Sequence, residues 1–382
     1  MEEIQTPVIP VVASLIKATP GTISLGQGVV YYGPPENAFT KLQAITRDAE
    51  IHRYSHTAGL SELRTLISQK LSNENHITVP DDRIVVTAGS NMAFLNALFA
   101  ITRPGDEIIL VVPYYFNHEM AIRMLGCVPI LVESGTDYLP DIGRLRSAIT
   151  PKTRAIVTIS PNNPAGKVYP QTLLKDINLL CRNHNIYHIS DEAYEYFTYG
   201  DNQHFSPGSL DDAGNYTISL YSLSKSYGFA NWRIGYMVLP EQLIEAVYKA
   251  QDTNLICPAI ASQYAAIGAL ETGKAYCLEK NRLIAEIRDI LIKNLTKVVQ
   301  FVDISNAEGA FYLLLKIHTD ATDMDVVTRL IKDYQVATLP GGTFGLDYGC
   351  FLRVAYGALD KNNATEGIHR LCHGLTEIVK KA

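Results

Sequence analysis

The sequence predicts an α/β fold in two units: a large domain on a mostly parallel sheet between helices, and a smaller α+β domain. Three observations predict it. The chain has 382 residues, about right for one large hydrophobic core plus a smaller one. From about Arg83, short unalternating apolar runs alternate with longer amphipathic ones. Strands that are apolar throughout, separated by helices, belong to a sheet covered on both faces. Near Ala310 strands return after a long helical stretch, which marks a second unit.

The elements follow in order. The first forty-odd residues are rich in glycine and proline (Pro20-Gly21, Gly26, Gly28, Gly33-Pro34-Pro35) and read as an irregular arm lying on a folded body. RIVVTA from Arg83 reads as a strand, NMAFLNALFAI from Asn91 as a helix, and Arg103 to Asp106 as a turn. EIILVV from Glu107, CVPILV from Cys127, RAIVTIS from Arg154, IYHIS from Ile186 and YTISLYS from Tyr216 continue the strand series. Gln171 to His184 reads as one of the intervening helices. After Pro240 the chain turns helical for some sixty residues. AFYLLLKI from Ala310, QVATLP from Gln335 and FLRVAY from Phe351 are the later strands. The expected division is residues 1–44 for the arm and part of the small domain, 45–285 for the large domain, and 286–382 for the rest of the small domain.

Composition excludes several classes. The chain is 47% hydrophobic and 19% charged, with a formal net charge of −6 and no Lys/Arg cluster. Phosphate neutralisation needs such clusters, so neither nucleic acid nor an anionic membrane is an expected partner. No apolar run reaches the ~18 residues of a membrane span. Met1 to Pro10 lacks the basic-then-apolar order of a secretory signal. The six cysteines, Cys127, Cys181, Cys257, Cys277, Cys350 and Cys372, form no CxxC pair and no metal-ligand spacing with histidine. Reduced thiols, no metal and a cytoplasmic setting are expected.

The stretch that carries chemistry is SLSKSYGFANWRIGY, Ser222 to Tyr236. It follows a strand, so Lys225 falls where α/β sheets bind ligands. These residues resemble the lysine signature of the class I/II aminotransferases, fold-type I enzymes that depend on pyridoxal phosphate. Further landmarks occur in the family's order: RYSHTAGLSELR from Arg53, SPNNPAGKVYP from Ser160, SDEAYEYF from Ser190 and FLRVAYG from Phe351. The resemblance spans roughly residues 25 to 360. It implies the fold-type I architecture with a seven-stranded sheet. It also implies an aminotransferase that moves an amino group from an L-amino acid to a 2-oxo acid through a Schiff base on Lys225. One departure is Asn231, where many relatives have glycine.

The resemblance assigns roles, and chemistry explains them. A lysine amine condenses with the cofactor's aldehyde only when deprotonated, and once released it carries a proton. Asp191, at a strand's carboxyl end, would keep the pyridine nitrogen protonated; an aspartate there is equally a helix cap. Asn163 and Tyr194 would donate to the phenolic oxygen, although Asn163 also suits a tight turn and Tyr194 a core. Backbone N–H groups after Gly89, at Ser90 and Asn91, would face the phosphate. The Ser222 hydroxyl and the Arg233 fork would join them. Tyr115, in preference to Tyr114, would stack on the ring. Tyr54 would reach the phosphate of a neighbouring subunit, implying a homodimer with shared active sites. Arg353 inside an apolar strand would hold the substrate carboxylate, with an internal salt bridge as the alternative. The Gly28 backbone would also approach the substrate.

Asn91 stands where some aspartate-using relatives carry lysine, and Tyr31, Tyr32, Tyr114 and Tyr115 hint at an apolar or aromatic side chain. His52, His56, His118, His184 and His188 share no motif and are expected in core, surface or supporting places. Three rival functions remain. A carbon–sulfur β-lyase or cyclopropane-forming synthase shares these motifs. A non-catalytic regulatory module is opposed by the intact Lys225, Asp191 and Arg353. A dinucleotide-dependent oxidoreductase lacks a GxGxxG after any strand.

Overall fold

The computed structural model describes residues 4–5, 7–43, 45 and 49–381. The outermost part of the expected arm (residues 1–3 and 6) and its expected end at residue 44 lie outside the described residues. In chain order the structure begins with helix α1 (Val8–Ala18), strand β1 (Ile23–Ser24), α2 (Glu36–Leu42) and α3 (Ser61–Lys70). Then come β2 (Ile84–Thr87), α4 (Ser90–Ile101), β3 (Glu107–Val112), α5 (Phe116–Met124), β4 (Val128–Glu133), α6 (Ile142–Ala148) and β5 (Thr153–Ile159). After them lie α7 (Gln171–Asn183), β6 (Tyr187–Asp191), β7 (Thr217–Ser222), α8 (Leu223–Ser226) and β8 (Gly235–Val238). Helices α9 (Ile244–Asn254), α10 (Ile260–Thr272) and α11 (Lys274–Leu295) precede β9 (Val302–Ile304) and β10 (Tyr312–Ile317). The chain ends with α12 (Asp323–Tyr334), β11 (Val336–Ala337), β12 (Leu339–Pro340), β13 (Cys350–Ala355) and α13 (Lys361–Lys380).

The large sheet has seven strands in the order β2-β8-β7-β6-β5-β3-β4. Only β8 runs against its neighbours. Every residue of β2, β7 and β8 is buried, as a sheet with helices on both faces requires. Sequence reading missed β8, because Gly235–Val238 begins inside the segment read for its lysine. The reversal matters: β8 returns from the Lys225 loop and seats Arg233 beside β2.

The arm differs from expectation. It is irregular only in its Gly/Pro-rich later part: Val8–Ala18 is a helix although Pro10 lies within it. Proline is tolerated there because an N–H in the first turn has no intrahelical acceptor. β1 pairs in parallel with β11, and Leu25 donates to the Ala337 carbonyl and accepts from the Ala355 N–H. The arm is thus stitched into the smaller body. The single strand expected from Gln335 is two: β11 pairs with the arm and β12 with β13. Pro340 has no N–H to donate, which suits the edge position of β12 in its four-stranded sheet β12-β13-β10-β9.

Helix α11 runs without a break from one body to the other. Cys277 packs among the large-domain residues beside Tyr227 and Phe229, while Ile284, Ile287, Leu291 and Leu295 enter the core around β10 and β13. Spacings of three and four keep these four on one face, and each contributes roughly 1.5–3 kcal/mol by burial. Residue 285, the expected domain boundary, lies inside this helix.

Candidate active site

A cavity of about 460 Å3 opens where the carboxyl ends of the parallel strands meet β10, β12, β13 and the arm. Five strands of the large sheet each deliver a residue just past their ends. β2 leads to Ser90 and Asn91, β3 to Tyr115, β5 to Asn163, β6 ends at Asp191, and β7 ends at Ser222 just before Lys225. Gly28, Tyr194, Arg233, Tyr312 and Arg353 add to the polar lining, with Ser24, Gln27 and Ser224 beside them. Two-residue side-chain alternation explains part of this: once a strand stops, its chain is free to turn inward at the sheet's edge.

Lys225 sits on the short helix α8, whose first turn is capped by the Ser222 hydroxyl accepting from Ser224 N–H at 3.2 Å. The loop is held from the arm, where the Tyr32 hydroxyl donates to the Lys225 carbonyl at 2.8 Å. Lys225 Nζ donates to the Gly28 carbonyl. Burial, then the nearby Arg353 and Arg233 charges, pull its pKa down to about 8 against the opposing pull of Asp191. A sizeable fraction of this amine is therefore neutral near pH 7–8, unlike a surface lysine.

Asp191 is buried, with its two oxygens divided between two tasks. Oδ1 accepts from Ala193 N–H at 3.1 Å and closes a turn; no helix follows β6 directly, so the helix-cap alternative does not hold. Oδ2 lies 3.2 Å from His118 Nε2, within ion-pair reach but off the line of a hydrogen bond. His118 is stacked on Phe94, ring centres 4.0 Å apart, and meets the Tyr115 ring edge-on. No motif pointed to His118; only the packing of α5 against α4 brings it under Asp191. Asn163 Nδ2 donates to the Tyr194 hydroxyl at 3.3 Å, and that hydroxyl is 3.0 Å from the Tyr312 hydroxyl. Burial pushes the Tyr194 phenol well above its ordinary value and the Tyr312 phenol up to about 12, so both stay protonated hydrogen-bond donors.

At the other end lies an anion cradle. Gly89 caps α4 at φ +81°, and a Cβ there would lie 2.6 Å from Arg233 Nη2. Glycine is required because both the left-handed backbone and the guanidinium need that space. Arg233 itself has φ +51° and is tied to the Ala88 and Ala230 carbonyls. The free N–H groups of Ser90 and Asn91, the helix dipole and this fork converge on one spot, a geometry suited to phosphate.

Arg353 is 3% exposed. Nη1 donates to Asn163 Oδ1 at 3.1 Å and Nη2 to the Gly26 carbonyl at 2.7 Å, while Nε has no partner. Its plane lies over Tyr312, 4.5 Å from the ring centre. No carboxylate among the described residues pairs with it, so the internal salt bridge weighed from sequence is absent. A buried guanidinium without a counter-ion is costly, and a carboxylate entering the cavity would relieve that cost.

The sequence profile of the family described as aminotransferase class I and II matches residues 20–371. The chain belongs to this family. It is similar to the Arabidopsis thaliana protein named aromatic aminotransferase ISS1, 34% identical over 98% of this chain and 94% of that one. It is also 35% identical to a probable aspartate/prephenate aminotransferase of Aquifex aeolicus, over 85% of this chain and 84% of that one. A solved Thermus thermophilus aspartate aminotransferase, a double mutant, superposes with a TM-score of 0.90 at 29% identity, covering 98% of both chains. The fold is fold-type I, and the protein is an aminotransferase dependent on pyridoxal phosphate that moves an amino group between an L-amino acid and a 2-oxo acid. The residues present fit that cofactor. A cradle cleared by Gly89 and an amine of lowered pKa lie in one cavity with a buried carboxylate.

The aminotransferase brings together all the expected site residues except two. Gly89 caps the cradle helix without lining the cavity. Tyr54 is 81% exposed and stands outside the cavity. Of the four tyrosines expected near the substrate, only Tyr115 lines the cavity. Tyr114 packs on Gly345, Tyr32 holds the lysine loop from behind, and Tyr31 leans edge-on against Tyr32. Sequence reading missed His118, Tyr312 and the cavity face of α1. Tyr312 stands beside Phe311 in a strand read only as apolar, and no local signal separates it from a core tyrosine.

Proposed function

We propose that Lys225 is the residue that bonds the cofactor and moves the proton, that Asp191 holds the ring nitrogen, and that Arg353 anchors the substrate's α-carboxylate. The observation that carries this reading is the buried amine at about pKa 8 placed in one cavity with a buried carboxylate and an unpaired buried guanidinium. When bound, pyridoxal phosphate supplies an aldehyde carbon that takes on the amino group and a ring that accepts the electron pair left at the substrate's α-carbon.

The chain's own residues do the rest. Lys225 Nζ would be the group that takes the proton from the substrate's α-carbon and hands it on. Asp191 would face the pyridine nitrogen, held in place by the Ala193 N–H and flanked by His118. Asn163 and Tyr194 would donate to the phenolic oxygen, and Tyr115 would cover a ring face. Ser90, Asn91, Ser222 and Arg233 would hold the phosphate, with Gly89 keeping the space clear. Arg353 meets the carboxylate with its fork while the Gly28 backbone faces the same end.

A homodimer and a cytoplasmic setting belong to the same proposal. Tyr54, exposed on a turn ahead of α3, is free to enter a second subunit's cavity. The six cysteines are unpaired, which suits a reducing compartment. Borohydride reduction of the loaded enzyme followed by peptide mapping tests the central role. A pyridoxyl label on Lys225 is expected, and a label on another lysine would overturn the assignment.

A further inference from the structure

Every charge in the cavity lining already has a task. The cations are Lys225, Arg233 and Arg353, and the one carboxylate is Asp191. Under the roles above, these bind cofactor and α-carboxylate, leaving no cation of this chain among the described lining residues for a second carboxylate. Ser24 and Gln27 of the arm add polar groups but no charge, and much of the remaining wall is apolar. Ile9, Val12, Ala13 and Ile16 of α1 line the cavity, at spacings of three, four and seven that place them on one stripe. Leu339 of β12, in register with Arg353, and Phe116 of α5 extend the same surface.

Helix α1 is fixed in this position by packing. Val8 and Leu15, together with Val12 and Ile16 of the stripe itself, pack against the core around β10 and β13. Gln5 Nε2 reaches across to Glu119 Oε2 on α5 at 3.3 Å. Yet Ile9, on the cavity stripe, is 48% exposed. A large aliphatic residue aimed into a cavity and left half-uncovered is a surface that a ligand's apolar group would complete.

We propose that this face of α1 receives the substrate's side chain and selects amino donors with a bulky apolar side chain and a single carboxylate. The proposal rests on Arg353 as the carboxylate anchor. Covering roughly 100 Å2 of apolar side chain is worth about 70-fold in affinity at the usual coefficient. A second carboxylate on the same wall has no partner and loses its hydration.

The test uses the loaded enzyme and two unreactive probes, 3-phenylpropionate and succinate, with dissociation constants from calorimetry. The parent is expected to bind 3-phenylpropionate at least tenfold more tightly than succinate. Ile9→Lys places a cation on the wall and is expected to reduce that ratio at least tenfold. Val11→Lys is the control, since Val11 is 43% exposed on the same helix but outside the cavity lining, and it should leave the ratio unchanged. Succinate binding as tight as 3-phenylpropionate in the parent, or equal ratios in the two lysine variants, would overturn the proposal. Arg353→Lys separates the two readings. Weakening of both probes supports the anchor whichever way the ratio falls, and unchanged binding of both removes the anchor and this inference with it.

Discussion

Removing the Lys225 charge should stabilise the cofactor-free enzyme while abolishing its chemistry. The drop of this amine from 10.5 to about 8 corresponds to about 3 kcal/mol held against the folded state whenever the lysine is protonated in both states. Lys225→Met keeps the length and apolar body of the side chain and removes the charge. It also loses the hydrogen bond to the Gly28 carbonyl, worth about 1 kcal/mol. The net expectation at pH 7 is a gain of about 2 kcal/mol, or roughly 2–4 °C in Tm for a chain of this size. The pH dependence has a definite sign. Below pH 8 folded and unfolded chains both carry the proton, and the folded parent bears the full penalty. Between pH 8 and 10.5 the folded chain releases the proton while the unfolded chain keeps it, so the parent gains stability with rising pH. The advantage of Lys225→Met should therefore shrink across that window and reverse above it. Scanning calorimetry of both cofactor-free proteins at pH 7, 8.5 and 10 measures this. Equal or lower stability of the variant at pH 7, or a gain that persists unchanged at pH 10, would refute burial as the cause of the lowered pKa.

The same amine sets a kinetic expectation: the rate of cofactor loading should rise with pH to a half-maximum near 8, followed by the absorbance of the bound cofactor. Gly89→Ala should weaken cofactor binding at least tenfold, by titration, because its Cβ collides with Arg233 Nη2 and its backbone must hold φ +81°. Arg353→Lys should raise KM for donor and acceptor alike by roughly tenfold or more, since an ammonium lacks the two-pronged match to a carboxylate. His118→Phe keeps the stack on Phe94 but removes the neighbour of Asp191. It should lower kcat by about tenfold, the equivalent of roughly 1.4 kcal/mol of lost support for Asp191, with the circular dichroism spectrum unchanged.

Much of the site was legible in the chain because its chemistry is local. Asp191 closes a strand, and Lys225 and Asn163 lie a few residues past one, so a strand end and a reactive residue read together place them at one end of the sheet. Arg353 was legible for the opposite reason, as a charge inside an otherwise apolar strand. His118, Tyr312 and the α1 stripe were not legible. Each sits on an element whose pattern is satisfied by ordinary packing, and only contact with another element gives it a task. The arm was misread because its prolines and glycines outweighed the apolar spacing of α1, and β8 because its residues were read as part of the lysine motif.

The sequence by itself carried the α/β class, the family resemblance and the placement of Lys225 just past a strand's end, since apolar periodicity and short motifs are properties of one segment at a time. The tertiary structure alone decided what surrounds them. It set how far burial and two arginines lower the Lys225 amine, left Arg353 without a counter-ion, and turned the α1 stripe toward the cavity. Those are consequences of distance and desolvation between residues up to some 340 positions apart, as when Ile9 and Arg353 line one cavity. Such distances exist only once the arm, the sheet and the smaller body have packed together.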